Sequence, residues 1–440
     1  KGGPDDRYIT QYILTGIGHL RKLNVLNTAE DKKLKAIADL AITYLDMQIK
    51  KYYDQLVKSK TNLSTYTLDY STIQYFYMRS FFPEYKTVTA AQKAVTYFKG
   101  RLPLSWTKQN KYMQGMLALI LHRQGDSKTS AAILKSLKET SIVSEEMGRY
   151  WKTNTRSWWW YEAPIERQAL LIEAFMEAGK DVKTADELRT WLLRNKQTNS
   201  WESTRATAEA CYALLLQGTK WLEQQPAVVI RAGNVQFDNS KSEAGTGYFK
   251  QSIQGEKIKP DMGNISLTVT QVPGSNTTAP SWGAVYWQYF EDLDKISSAG
   301  TPLQLKKKLF VEQKTDRGPV LKPVADGNYV KVGDKIVVRI ELRADRDMEY
   351  VHMKDMRASA LEPTNVLSGY KWQGGLGYYE STRDAGTHFF FSYLPKGTYV
   401  FEYSLFVTHT GDFSNGVTSI QCMYAPEFNA HSEGVRFLVE

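Results

Sequence analysis

Carboxylates beside aromatic rings are the first candidates for chemistry in this sequence. Trp158-Trp159-Trp160-Tyr161-Glu162 is followed by Glu166. Two carboxyl groups flanking a sugar, with aromatic platforms next to them, are what glycoside cleavage needs. Asp69, with Tyr66, Tyr70, Tyr75 and Tyr77 near it, is a second place of that kind. The other reading is packing: the rings fill interfaces, and Glu162 and Glu166 lie near a helix N-terminus, where a carboxylate suits the dipole. Two cysteines are the only thiols. Cys211, in Glu209-Ala210-Cys211-Tyr212-Ala213-Leu214, sits on an apolar helical stretch and reads as a buried, inert thiol. Cys422 falls in a β segment of another domain, which argues against pairing with Cys211. Two cysteines exclude a disulfide scaffold and a multi-Cys zinc site. His19, His122, His352, His388, His409 and His431 are scattered without metal-binding spacing, so no metal or other cofactor is expected.

The elements that would hold these residues change character near residue 225. The chain has 440 residues, a length that predicts about three domains. Hydrophobic residues are 42% and charged residues 23%, an ordinary globular composition. No apolar run reaches the roughly 18 residues of a membrane span. The net charge of +9 comes without a nucleic-acid motif, so no nucleic-acid partner is expected. Lys306-Lys307-Lys308 reads as a solvated strand edge.

Residues 1–225 read as successive helices. Asn27-Thr28-Ala29-Glu30 and Thr184-Ala185-Asp186-Glu187 have the form of capping boxes. Pro83, Pro103 and Pro164 fall between periodic segments. Beyond Pro226 the period becomes two. Strands are expected at 228–230, 265–269, 284–287, 335–340 and 399–403, with a boundary loop at 297–302. Strands without intervening helices imply β-sandwich domains.

Five helical segments carry small residues in an apolar stripe: 9–20, 68–78, 112–122, 168–178 and 204–216. Gly16, Gly18, Gly115, Ala118, Ala169, Ala174, Ala206, Ala208 and Ala210 would let them approach closely. The segments between them are richer in charge. Apolar helices alternating with charged ones imply two concentric layers, an α/α toroid, with a linear solenoid as the other option. The expected order is a toroid over 1–225, a small β domain over 226–300, and a C-terminal β-sandwich over 301–440.

Some of these segments are familiar. Arg7-Tyr8-Ile9-Thr10-Gln11-Tyr12-Ile13-Leu14, Ala163-Pro164-Ile165-Glu166-Arg167-Gln168-Ala169-Leu170 and Trp201-Glu202-Ser203-Thr204-Arg205-Ala206-Thr207 resemble inner helices of the thioester domain of bacterial α2-macroglobulin-like proteins. Thr387-His388-Phe389-Phe390-Phe391, Leu394-Pro395-Lys396-Gly397-Thr398-Tyr399 and Cys422-Met423-Tyr424-Ala425-Pro426-Glu427-Phe428 resemble the last domain of the same family. The resemblance implies a terpenoid-cyclase-like α/α toroid, lacking its first helices, and a macroglobulin-type sandwich of the receptor-binding kind. It implies an envelope protein that traps proteases, its toroid packed on its last β domain until cleavage.

Many family members carry a Cys-x-Glu-Gln thioester near the start of the toroid. This sequence has none. Trp221-Leu222-Glu223-Gln224 keeps the spacing but has Trp in place of the nucleophile, and it falls at the end of the helical region. The loop Arg101–Lys111, where a helper histidine would be sought, has no His. Lys1-Gly2-Gly3-Pro4 has neither Met nor a signal core, so a processed or cut N-terminus is expected. Any thioester, bait segment or lipid anchor would then lie upstream. The chain is expected not to be an enzyme. The rival expectations are a toroid acting on carbohydrate, through Trp158–Glu162 and Glu166, and a surface adhesion protein.

Overall fold

Short polar side chains start most of the helices. Asp6 accepts a hydrogen bond from Ile9 N (2.7 Å) and opens α1 (Arg7–Lys22). Asp31 caps α2 (Lys32–Lys58), Asp69 caps α3 (Tyr70–Arg79), and Asn110 caps α5 (Lys111–Arg123). Asp126 caps α6 (Ser127–Glu139) and Ser203 caps α9 (Thr204–Leu215). Each satisfies a backbone N–H that the first turn leaves without a partner. Pro164 opens α7 (Pro164–Glu177), where a missing N–H costs nothing. α4 (Gln92–Ser105) and α8 (Val182–Thr198) complete the α-helices among the described residues.

The structure, a computed structural model, describes residues 5–26, 31–153, 163–201, 203–216, 227–240, 248–270, 283, 285–293, 295–300, 302–324 and 329–440. They fall into two compact units, Lys1–Leu193 with Trp201–Ser281, and Arg194–Ser200 with Trp282–Glu440. No described helix is long and apolar enough to cross a membrane.

In the first unit the odd-numbered helices pack in chain order: α1 on α3, α3 on α5, α5 on α7, α7 on α9. These are the five small-residue segments of the sequence. The even helices flank them, α2 against α1 and α4, α6 against α5. Glycine permits two of the close approaches. A Cβ on Gly18 would lie 2.6 Å from Phe81 Cγ, and one on Gly115 would lie 2.7 Å from Leu171 Cδ2. Gly16 has nothing within 4 Å of such a Cβ, and Ala208 is exposed, so neither serves helix approach as expected.

Several local expectations are corrected. The box at 27–30 lies outside the described residues, and the observed cap of α2 is Asp31. Thr184 sits inside the first turn of α8, because Asp181 already accepts from Thr184 N (3.1 Å) and Thr184 Oγ1 (2.8 Å). Pro103 is inside α4, close enough to its end that little of the ladder is lost. That helix runs to Ser105 and a 3-10 turn follows at 106–108, so most of 101–111 is helical.

The first unit also contains β1 (Ile142–Ser144) paired with β2 (Gly148–Tyr150). A small antiparallel sheet has β3 (Ala227–Ala232) between β4 (Val235–Asp238) and β5 (Ile265–Thr270). The strand expected at 284–287 is absent. Ala284 lies outside the described residues, and Val285, Tyr286 and Trp287 have no regular structure and stand exposed. Period-two hydrophobicity makes a strand only where another strand supplies hydrogen bonds.

The second unit is a sandwich. One sheet runs β12 (Leu361–Pro363), β16 (Gly397–Val407), β10 (Lys335–Ala344), β7 (Leu303–Thr315) and β8 (Gly318–Pro323). The other runs β13 (Gly369–Gln373), β14 (Leu376–Arg383), β15 (Gly386–Leu394), β11 (Met348–Met356), β18 (Thr418–Cys422), β19 (Ala425–His431) and β6 (Ala299–Gly300). A third sheet has β17 (Gly411–Ser414), β20 (Arg436–Val439) and β9 (Tyr329–Val330). Alternate residues of β7, β10, β11, β15 and β16 form the core, among them Leu305, Ile340, Met353, Phe391 and Phe401.

Candidate functional site

The odd-numbered helices are apolar, yet each turns a polar side chain toward its neighbours. These side chains gather in two groups. One lies near the helix N-termini. Arg205 of α9 donates to Tyr8 Oη of α1 (2.8 Å) and to Tyr112 Oη of α5 (3.2 Å). Its guanidinium also lies over the Tyr12 ring, 5.4 Å from the centroid. Tyr70 of α3 stacks on Tyr112 at 6.2 Å. Burial works against the charge of Arg205, but Tyr112, Tyr70, Tyr8 and Glu166 hold it cationic.

The other group lies about two to three turns further along. Glu173 of α7 is its centre. It accepts from Arg123 Nη2 of α5 (2.6 Å), Lys22 Nζ of α1 (2.9 Å) and Tyr212 Oη of α9 (2.9 Å), and from the Tyr77 hydroxyl of α3. All five odd helices thus meet on one carboxylate. Arg123 also binds Glu177 through Nε and Nη2 (both 2.7 Å), a bidentate pair. Burial opposes ionisation of Glu173, but Lys22 and Arg123 outweigh it and hold the carboxyl well below its usual range. His19 of α1 stacks on Tyr212 at 3.7 Å, with 3° between the rings. Its Nε2 is 3.0 Å from Tyr77 Oη, and its Nδ1 is 3.8 Å from Glu209 Oε2.

Glu209 and His19 titrate in opposite senses. Burial pushes Glu209 up to about 7, with Glu173 and Glu166 adding to it against Arg205. Burial lowers His19 to about 4, so its imidazole is neutral at neutral pH.

Of the residues singled out in the sequence, Trp158, Trp159, Trp160, Tyr161 and Glu162 lie outside the described residues. Trp221–Gln224 does too. Glu166 is in the first turn of α7, 6% exposed, in the electrostatic reach of Arg205 and Tyr8. Asp69 is occupied as a helix cap, accepting from Thr72 N (2.8 Å) and Tyr66 Oη (3.1 Å). Tyr75 donates to Asp46 (2.6 Å) and Tyr77 to Glu173. The rings near Asp69 are thus committed to packing. Cys211 is exposed, contrary to the expected buried thiol, while Cys422 is buried; both are free.

Sequence reasoning passed over Arg123, Glu173, Arg205 and Glu209. The signal was a charge inside an apolar helix, as in Leu170-Leu171-Ile172-Glu173-Ala174-Phe175. The arrangement can bind helix to helix. Glu173 and Glu177 are taken up by Lys22 and Arg123, and among the described residues no group of three His, Cys, Asp or Glu could hold a metal ion.

Residues 303–427 match the family model of the bacterial alpha-2-macroglobulin MG10 domain. No curated protein matches the chain. Among solved structures, trypsin-activated alpha-2-macroglobulin from Escherichia coli is similar at 13% identity, with a TM-score of 0.39 over 100% of this chain and 28% of that one. The elastase-activated form from the same organism gives 13% identity and a TM-score of 0.38, over 100% of this chain and 36% of that one. Salmonella alpha-2-macroglobulin reacted with methylamine gives 13% and 0.30, over 100% and 26%. The chain therefore spans only about a quarter to a third of the length of these proteins. The matched segment opens with β7 and reaches into β19, across both sheets of the sandwich, and on that match residues 303–427 form a domain of the bacterial alpha-2-macroglobulin MG10 kind.

Proposed function

We propose that the chain is the C-terminal part of a bacterial envelope protein that inhibits endopeptidases by trapping them, and that this part is not itself an enzyme. The observation that carries the reading is the family match over 303–427. The helical unit would be the family's toroid, within a division at about 225 and 300. The contact order of α1, α3, α5, α7 and α9 supports a ring, as do the Arg205–Tyr8 and His19–Tyr212 contacts that bring α9 back to α1. The ring would lack its first helices. Ile9 and Ile13 on α1, and Ala208 and Cys211 on α9, are exposed, as they would be on either side of a missing inner helix.

The test uses the full-length protein and trypsin. Incubation should give a cleaved inhibitor that shields trypsin from large substrates and leaves small ones accessible. Unchanged trypsin activity on large substrates would remove the trap from this reading. The sequence upstream of Lys1 decides the kind of trap: a Cys-x-Glu-Gln there makes it covalent.

A further inference from the structure

Glu209 stands apart from the other charged groups between the odd-numbered helices. The cations near it are committed elsewhere. Lys22 of α1 and Arg123 of α5 bind Glu173 and Glu177 of α7. Arg205, one turn earlier on the same helix, donates to Tyr8 and Tyr112. What faces Glu209 is His19, Tyr8 and Tyr12 of α1, Tyr77 of α3 and Tyr112 of α5, with Arg205 of its own helix favouring its charge and Glu166 and Glu173 of α7 opposing it. Its side chain is only 13% exposed.

The hydrogen-bond network fixes what His19 offers it. Tyr77 has one hydroxyl proton and gives it to Glu173. Its oxygen must therefore accept from His19, so the imidazole proton is assigned to Nε2. A neutral ring with its proton on Nε2 turns the Nδ1 lone pair toward Glu209. A lone pair repels a carboxylate and tolerates a carboxylic acid. The stack on Tyr212 and the bond to Tyr77 hold the ring in that orientation.

We propose that Glu209 is a proton-operated latch between α9 and α1. Protonated, it lets the inner face of α9 lie against His19. Ionised, it faces a lone pair and two further carboxylates against a single cation, Arg205, which Tyr8 and Tyr112 already hold, and it drives α9 off α1. α9 packs far more extensively on α7 than on α1, and that packing remains. The latch works at neutral pH because burial brings the carboxyl into that range. It operates within the helical unit and does not depend on the protease-trap reading.

Hydrogen exchange on the 440-residue chain tests it. Peptides covering α9 should open about tenfold more readily at about pH 8.5 than at about pH 6, after correction for intrinsic exchange. Peptides covering α6 should show no such difference. Glu209→Gln keeps the shape of the protonated side chain and should hold α9 closed at both pH values. Three results would overturn the latch: pH-independent protection of α9 in the wild type, the same pH dependence in Glu209→Gln, or an equal rise in α6. Failure of Glu209→Gln to fold would also overturn it, because the neutral side chain is the one the packing requires.

Discussion

Lys307 and Asp355 form an ion pair of 2.6 Å inside the sandwich, and neither side chain reaches solvent. The pair joins the two sheets, Lys307 from β7 and Asp355 from β11. Lys307 also donates to Met356 O (2.7 Å). Asp355 also accepts from Thr418 Oγ1 (2.7 Å) and from the Tyr403 hydroxyl. The expectation of a solvated edge at Lys306–Lys308 fails for two reasons. β7 lies between β10 and β8, so it is not an edge, and the alternation that buries Leu305 and Leu309 buries Lys307 with them.

A buried pair that is fully bonded costs most when only one partner is lost. Lys307→Met should destabilise the sandwich by about 3–5 kcal/mol, since it leaves Asp355 buried without its cation. Combining it with Asp355→Leu should recover a large part of that loss. Urea unfolding of both single variants and the double variant checks this. A single variant as stable as the wild type would show that the pair contributes nothing.

The small residues of α1 give two opposite expectations. A methyl group on Gly16 would meet open space, with nothing within 4 Å, whereas Gly18 is covered by Phe81. Gly16→Ala should stabilise the helical unit by up to about 1 kcal/mol, through helix propensity alone. Gly18→Ala should destabilise it by about 1–3 kcal/mol, because Phe81 must move. Thermal melts of the two variants should therefore shift in opposite directions.

Much of this architecture was legible in the sequence, and the exceptions have physical causes. The helical segments and four of the five strands follow from periodicity, which reports the face an element buries. Periodicity says nothing about partners. It could not reveal that Val285–Trp287 pairs with no described strand, or that Lys307 faces a carboxylate from another sheet. The polar groups around Glu173 were hidden for the same reason. Lys22 and Arg123 stand at helix ends and Tyr77 and Tyr212 inside apolar helices, and only the fold brings all four to Glu173.

His19 and Glu209 should give the helical unit opposing pH dependences. The folded state holds His19 down at about 4. Its contribution is present above the unfolded value near 6.5 and is lost as pH falls toward 4, about 3 kcal/mol at most. The folded state raises Glu209 to about 7. Its contribution is full below the unfolded value near 4.5 and is lost as pH rises through 7. An NMR titration should show one of the six histidines with a midpoint near 4, absent in His19→Phe. A normal midpoint for His19 would mean that its stack on Tyr212 opens to water.

Cys211 offers a direct probe of α9. Thr204, Thr207, Ala208 and Cys211 are exposed at helical spacing, while Ala206, Ala210 and Ala213 face inward. An apolar neighbourhood in sequence therefore misled the expectation of burial, since Cys211 lies on the other face from the alanines that pack. Cys422 is enclosed in β18, its Sγ 3.4 Å from Glu349 O, and burial pushes its thiol up. A thiol reagent at about pH 8 should label one cysteine per folded chain and two in denaturant. Mass mapping should place the first label on Cys211. In a longer protein carrying the helices proposed to complete the ring, the same reagent should label Cys211 far more slowly. Equal labelling in both would mean that no helix covers that face of α9, and the incomplete-ring reading would fall.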